Sequence, residues 1–88
     1  MKHENINSYA DKIISYEEFI KFTQYLRINY KEINSEWENN DLETYLDGIY
    51  GSTKSLEGYF YFKKEYVNLD NPTWRIMAHI LLAARVYE

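Results

Sequence analysis

Cysteine is absent from these 88 residues. Disulfides, zinc–cysteine sites and thiol catalysis are therefore excluded. The absence fits a reducing compartment, and a cytoplasmic location is the expectation. Proline occurs once and glycine three times. That is too little punctuation for a turn-rich β domain and favours helices. No apolar run approaches the roughly 20 residues that span a bilayer; the longest is Ile80 to Ala84. No basic segment followed by an apolar stretch opens the chain, so no signal peptide and no membrane partner are expected. Repeats and low-complexity tracts are absent too.

What is present describes one small globular domain over residues 1–88, with residues 1–8 polar and expected to fray. Hydrophobic residues make up 45% and charged residues 27%, close to the soluble average. Tyrosine is over-used, with ten copies. It covers a small core while keeping a polar tip for the rim, and it also suits partner surfaces. Net charge is −4, and the acids are concentrated. Glu32, Glu36, Glu38, Asp41, Glu43 and Asp47 fall in one stretch with no Lys or Arg among them. Such a surface repels phosphate backbones and attracts basic ones, so no nucleic-acid partner is expected.

The periodicity predicts an all-α bundle of about four helices. Ser15-Tyr16-Glu17-Glu18 reads as a capping box that opens a helix to about Tyr30. Its apolar face is predicted along Tyr16, Phe19, Ile20, Thr23, Leu26 and Tyr30. Asn34 to Asn40 reads as a connector. Asn40 is the expected cap of a second helix with Leu42, Tyr45, Leu46 and Ile49 inward, ended by Gly51. Residues 9–14 and 52–70 fit either a helix or an extended segment. For Leu56 to Lys63 a helix is preferred, because a lone strand has no partner. The last helix is predicted to start at Asn71 as cap and Pro72 as first residue, and to run to Glu88. It is apolar nearly all round, so it is expected at the centre or shared with a second copy of the chain. Arg75 and His79 mark its expected solvent-facing edge.

Few catalytic constellations can be assembled. The two histidines, His3 and His79, are too far apart in sequence and context for a metal site, and no Ser-His-Asp arrangement suggests itself. The three glycines match no phosphate-binding loop. Tyr59-Phe60-Tyr61-Phe62-Lys63-Lys64 interleaves aromatics with bases, as single-strand binders do. It is short and flanked by Glu57 and Glu65, so the reading is a core helix with solvated lysines. Trp37 and Trp74 are expected to close the core at helix ends, each with its indole N–H bonded.

Two clusters carry a resemblance. Trp37-Glu38-Asn39 followed by Leu42, Tyr45 and Leu46 forms W-x-N-x-x-L-x-x-Y-L. Trp74 through Glu88 forms W-x-x-x-A-x-x-L-x-A-A-x-x-Y-E. Together they resemble a family of small bacterial domains of unknown function. The resemblance implies a bacterial, intracellular, helical protein with no catalytic residue to carry over, and the residues themselves give no cofactor or metal site to expect. It is weakest from Gly51 to Asn71.

The leading functional expectation is a non-enzymatic protein-binding module. In particular, it would be an acidic immunity- or antitoxin-like inhibitor of a basic, nuclease-type toxin. Glu32, Glu36, Glu38, Asp41, Glu43 and Asp47 would supply charge, with Trp37, Tyr45 and Tyr50 as anchors. A homodimer or other homo-oligomeric accessory protein, joined through the last helix, is the alternative. A third class is a small enzyme or ligand-binding domain around His79 and the tyrosines, which calls for a polar-lined cavity near His79.

Overall fold

The computed structural model describes residues 5–87. The chain forms α1 (Ile6–Asp11), α2 (Tyr16–Glu32), a 3-10 turn (Asn34–Glu36), α3 (Leu42–Lys54), α4 (Leu56–Phe62) and α5 (Trp74–Ala83). Among the described residues there is no strand, and the expected helical bundle is found.

Local chemistry sets the boundaries. Asn5 caps α1 by accepting from the Asn7 amide at 2.7 Å. Ile6 and Ala10 on that helix, and Ile13 after it, are buried at helical spacing. The fraying expected of residues 1–8 therefore does not extend to residues 5–8; residues 1–4 lie outside the described residues. The capping box at α2 forms as predicted. Ser15 Oγ accepts from the Glu18 amide at 3.2 Å, and Glu18 accepts from the Ile14 amide at 2.8 Å. The second cap is Asp41 rather than Asn40, with its carboxylate on the Thr44 amide at 2.8 Å. Gly51 does not end α3, which continues to Lys54. The glycine is there for space, since a Cβ would overlap the Tyr87 ring.

Residues 56–62 are helical, as preferred. This helix ends on Lys64 at φ 58°. The Lys64 amide donates to Tyr61 O and the Glu65 amide to Phe60 O, both at 2.9 Å. This is a Schellman arrangement with lysine where glycine is usual. The last helix begins two residues later than predicted. Thr73, extended at ψ 166°, caps it through Oγ on the Ile76 amide at 3.2 Å, so Asn71 and Pro72 precede the helix. It stops at Ala83 and gives way to a turn over 84–86.

Helix α5 is central. Helices α1, α2 and α3 all pack on it, which explains an apolar character on more than one side. The main core joins Ile6, Ala10, Ile13, Phe22, Leu26, Trp37, Ala78 and Leu82. A smaller cluster of Leu56, Phe60 and Ile76 lies under α4. Two predicted faces are right only in part: Phe19, Leu26 and Tyr45 pack in or against the core, but most of the other predicted positions do not. On α2 the buried positions are Phe22, Leu26 and Asn29, while Tyr16, Ile20, Thr23 and Tyr30 are exposed. On α3 the buried residues are Gly48 and Ser52. A Cβ at Gly48 would overlap the Ala84 carbonyl. Close approach of two backbones selects small residues, so the bulky apolar stripe of α3 turns outward.

Candidate functional site

The two tryptophan-led segments meet at one joint. The buried Trp37 donates from Nε1 to Asn29 Oδ1 at 2.7 Å. The same oxygen accepts from Arg85 Nη1 at 3.1 Å, and Arg85 Nε donates to Leu82 O at 3.1 Å. Asn39 Nδ2 donates to Ala84 O at 2.8 Å and Tyr87 O at 2.7 Å, and its amide donates to Arg85 O at 2.8 Å. Asn39 thereby satisfies carbonyls that the end of α5 leaves open. Tyr45 donates to Leu81 O at 2.8 Å. Burial pushes the Tyr45 hydroxyl pKa up to about 12, against a smaller opposing pull from Arg85. Burial likewise lowers the Arg85 pKa, while Glu36 and Tyr45 offset it. Every polar contact here is internal, so the joint is built for packing.

The predicted partner residues divide accordingly. Glu32, Glu36, Glu38, Asp41, Glu43 and Asp47 are all exposed. Asp41 also serves as cap, and its bonds to Thr44 hold its pKa below the usual range. Trp37 is in the core, clasped by Tyr30 and Tyr45 rings at 5.0 and 5.4 Å, and offers no surface anchor. Tyr45 is half-buried with its hydroxyl committed to Leu81. Tyr50 is exposed. Pattern reading missed its neighbours: Leu42, Leu46 and Tyr50 are 74%, 54% and 68% exposed. Spaced i, i+4 and i+8, they form one outward stripe, with Glu43 and Asp47 one position further round. The only available signal was Gly48, whose position argues for the opposite face as the packed one.

A second group centres on His79. Its Nε2 lies 2.8 Å from Asp11 Oδ1, and its Nδ1 lies 3.2 Å from the Tyr59 hydroxyl. A carboxylate only accepts, so Nε2 carries the proton and Nδ1 accepts from Tyr59. Lys63 and Arg75 stand 3.6 and 3.9 Å from Asp11, and Arg75 forms a bidentate pair with Glu65 at 2.5 and 2.8 Å. That pair lowers the Glu65 pKa and raises that of Arg75. The expected solvent edge of α5 is therefore not at Arg75 and His79. His79 is 3% exposed, and α1 and α4 cover it; Trp74 and Met77 face solvent instead. Trp74 packs on Tyr16 and Phe19 at 5.3 and 5.1 Å. Beyond His79, only Phe60 of the aromatic run is buried; Tyr61, Phe62 and Tyr66 project into solvent. The core-helix reading thus fails for Tyr61 and Phe62.

Fold and joint define a small all-helical domain whose tryptophan-led segments clamp the end of a central helix. The chain belongs to the family of unknown function DUF7660, whose family model matches residues 15–88. No curated protein and no solved structure matches the chain. Helix α1, including Asp11, lies outside the matched span.

Proposed function

We propose that this protein is a protein-binding module that engages a basic partner through the outer face of α3. One observation carries the reading. The Leu42–Leu46–Tyr50 stripe is exposed, and exposed carboxylates flank it within a stretch of sequence that has no base. Apolar side chains supply contact area, and the carboxylates steer encounter and select charge. An inhibitor of the immunity or antitoxin type, acting on a basic nuclease-like toxin, fits that chemistry.

Affinity capture tests this, comparing wild type with a Glu43→Lys/Asp47→Lys variant. Asp41 is left alone because it caps α3. Wild type should retain a strongly basic protein at low salt and lose it as salt rises; the variant should not retain it. Equal retention by both would defeat the reading. A homo-oligomer joined through α5 is the second reading, supported by the exposed Trp74 and Met77. Sedimentation as a monomer at micromolar concentration would remove it.

A further inference from the structure

A groove of about 540 Å3 runs along one edge of α3, between that helix and the chain that follows α5. Its wall holds a charge of each sign. Asp47 stands at one end, and Lys54 stands two turns further along the helix. Between them lies Gly51, where the Tyr87 ring takes the space that a Cβ would need. The Asp47 carboxylate forms no hydrogen bond or ion pair among the described residues. The Lys54 ammonium, by contrast, rests 5.5 Å over the Tyr50 ring.

The polar side chains at the Asp47 end are left only to accept. Asn39 spends both Nδ2 protons on Ala84 O and Tyr87 O, which leaves its Oδ1. Thr44, one turn before Asp47, gives its hydroxyl proton to Asp41 Oδ1 at 3.0 Å and keeps its lone pairs. With the carboxylate, these make an acceptor-rich end that calls for a cation with several donors. An ammonium is a compact, strongly hydrated charge with three donors, whereas a guanidinium carries five in a plane and no acceptor. A guanidinium also stacks on aromatic rings, and Tyr50 and Tyr87 are in the same wall. At the far end, Lys54 repels a second cation, and the Ser55 and Tyr87 hydroxyls are bonded to each other at 2.7 Å.

We propose that this groove takes one arginine side chain of the basic partner, with the guanidinium on Asp47. This assignment rests on the protein-binding reading of α3 and names the residue that the partner must present. Leu42 and Leu46 are not in the groove wall, so apolar contact area and arginine recognition come from different parts of one helix.

The probe is Nα-acetyl-arginine methylamide, followed by amide chemical shifts of the full chain at fixed ionic strength. Saturable shifts should be confined to residues 39, 44–55 and 87. The lysine analogue has the same charge without the planar fork and should bind about tenfold more weakly, as loss of one charge-assisted hydrogen bond implies. Asp47→Asn changes an exposed side chain that holds nothing in the fold, and should also lower arginine affinity about tenfold. Absence of saturable shifts up to about 10 mM arginine probe, past the millimolar affinity of weak fragments, would overturn the proposal. Equal affinity for the two probes, or unchanged affinity in Asp47→Asn, would do so too. Capture of a basic protein without arginine binding in the groove would overturn the groove assignment alone and leave the α3 reading standing. Arginine binding with no captured protein would support the groove and count against the α3 reading.

Discussion

The joint between Trp37–Asn39 and Ala84–Tyr87 and the arm from Tyr59 to Leu69 are built from similar residues and behave oppositely. Both are rich in aromatics. At the joint, the Trp37 indole, the Asn39 amide and the Tyr45 hydroxyl each meet an internal acceptor, and the rings go inside. In the arm, Phe60 is buried while Tyr61, Phe62 and Tyr66 are left outside, and the helix ends on a lysine in the left-handed region. An aromatic side chain is buried when the backbone around it has been given partners, and not because it is aromatic. The joint is therefore the part of the molecule where stability is concentrated. The exposed rings of the arm, Tyr61, Phe62 and Tyr66, can vary with little loss to the fold.

The contrast can be broken at the joint. Trp37→Ala removes a buried indole and leaves Asn29 Oδ1 with Arg85 as its remaining donor, and should cost about 3–5 kcal/mol in urea unfolding. Against a total of about 5–10 kcal/mol for a domain of this size, that leaves a marginal protein. Asn39→Ala leaves the Ala84 and Tyr87 carbonyls without their side-chain donor and should cost about 1–3 kcal/mol in the same assay.

The arm should respond in the other direction. Lys64→Gly relieves a left-handed lysine and should stabilise the protein by about 1 kcal/mol. The attachment of α1 and α4 through His79 supplies a pH dependence. Burial is the main cause of the lowered His79 pKa; Asp11 pulls it up, and Lys63 and Arg75 push it down. Tyr59 and Glu65 complete the charged and titratable surroundings. With the folded value below the ordinary 6.5, the unfolded chain binds more protons in the interval between them. Stability is thus fully present above pH 6.5 and declines as pH falls below it. Urea midpoints measured from pH 7.5 downward should show this decline, and His79→Gln should flatten it. Glu65 titrates lower, so its contribution is lost only in more acidic solution, below its ordinary 4.5.

Legibility in the sequence followed the same division. The capping box at Ser15, the all-α class and the central α5 could all be read, because local hydrogen bonding and overall apolarity carry those signals. Directions of faces could not. The α3 stripe of Leu42, Leu46 and Tyr50 has good helical spacing, but the small residues Gly48 and Ser52 take the packed side. Backbone proximity there, visible only in three dimensions, overrode hydrophobicity. Asp11 meets His79 across most of the chain, and no spacing rule connects them. Residues 61 and 62 were misplaced because their apolarity was read as burial. Of the residues expected to meet a partner, the six carboxylates are exposed and Trp37 is buried. Its indole serves Asn29 instead.

The account rests most heavily on the outer face of α3 being free of any folding role. Urea unfolding of Leu42→Ser/Leu46→Ser measures this directly. The account predicts a free-energy change within about 0.5 kcal/mol of wild type, as for surface positions. A loss of about 2 kcal/mol or more, the cost of opening a core position, would contradict it and return those leucines to the interior.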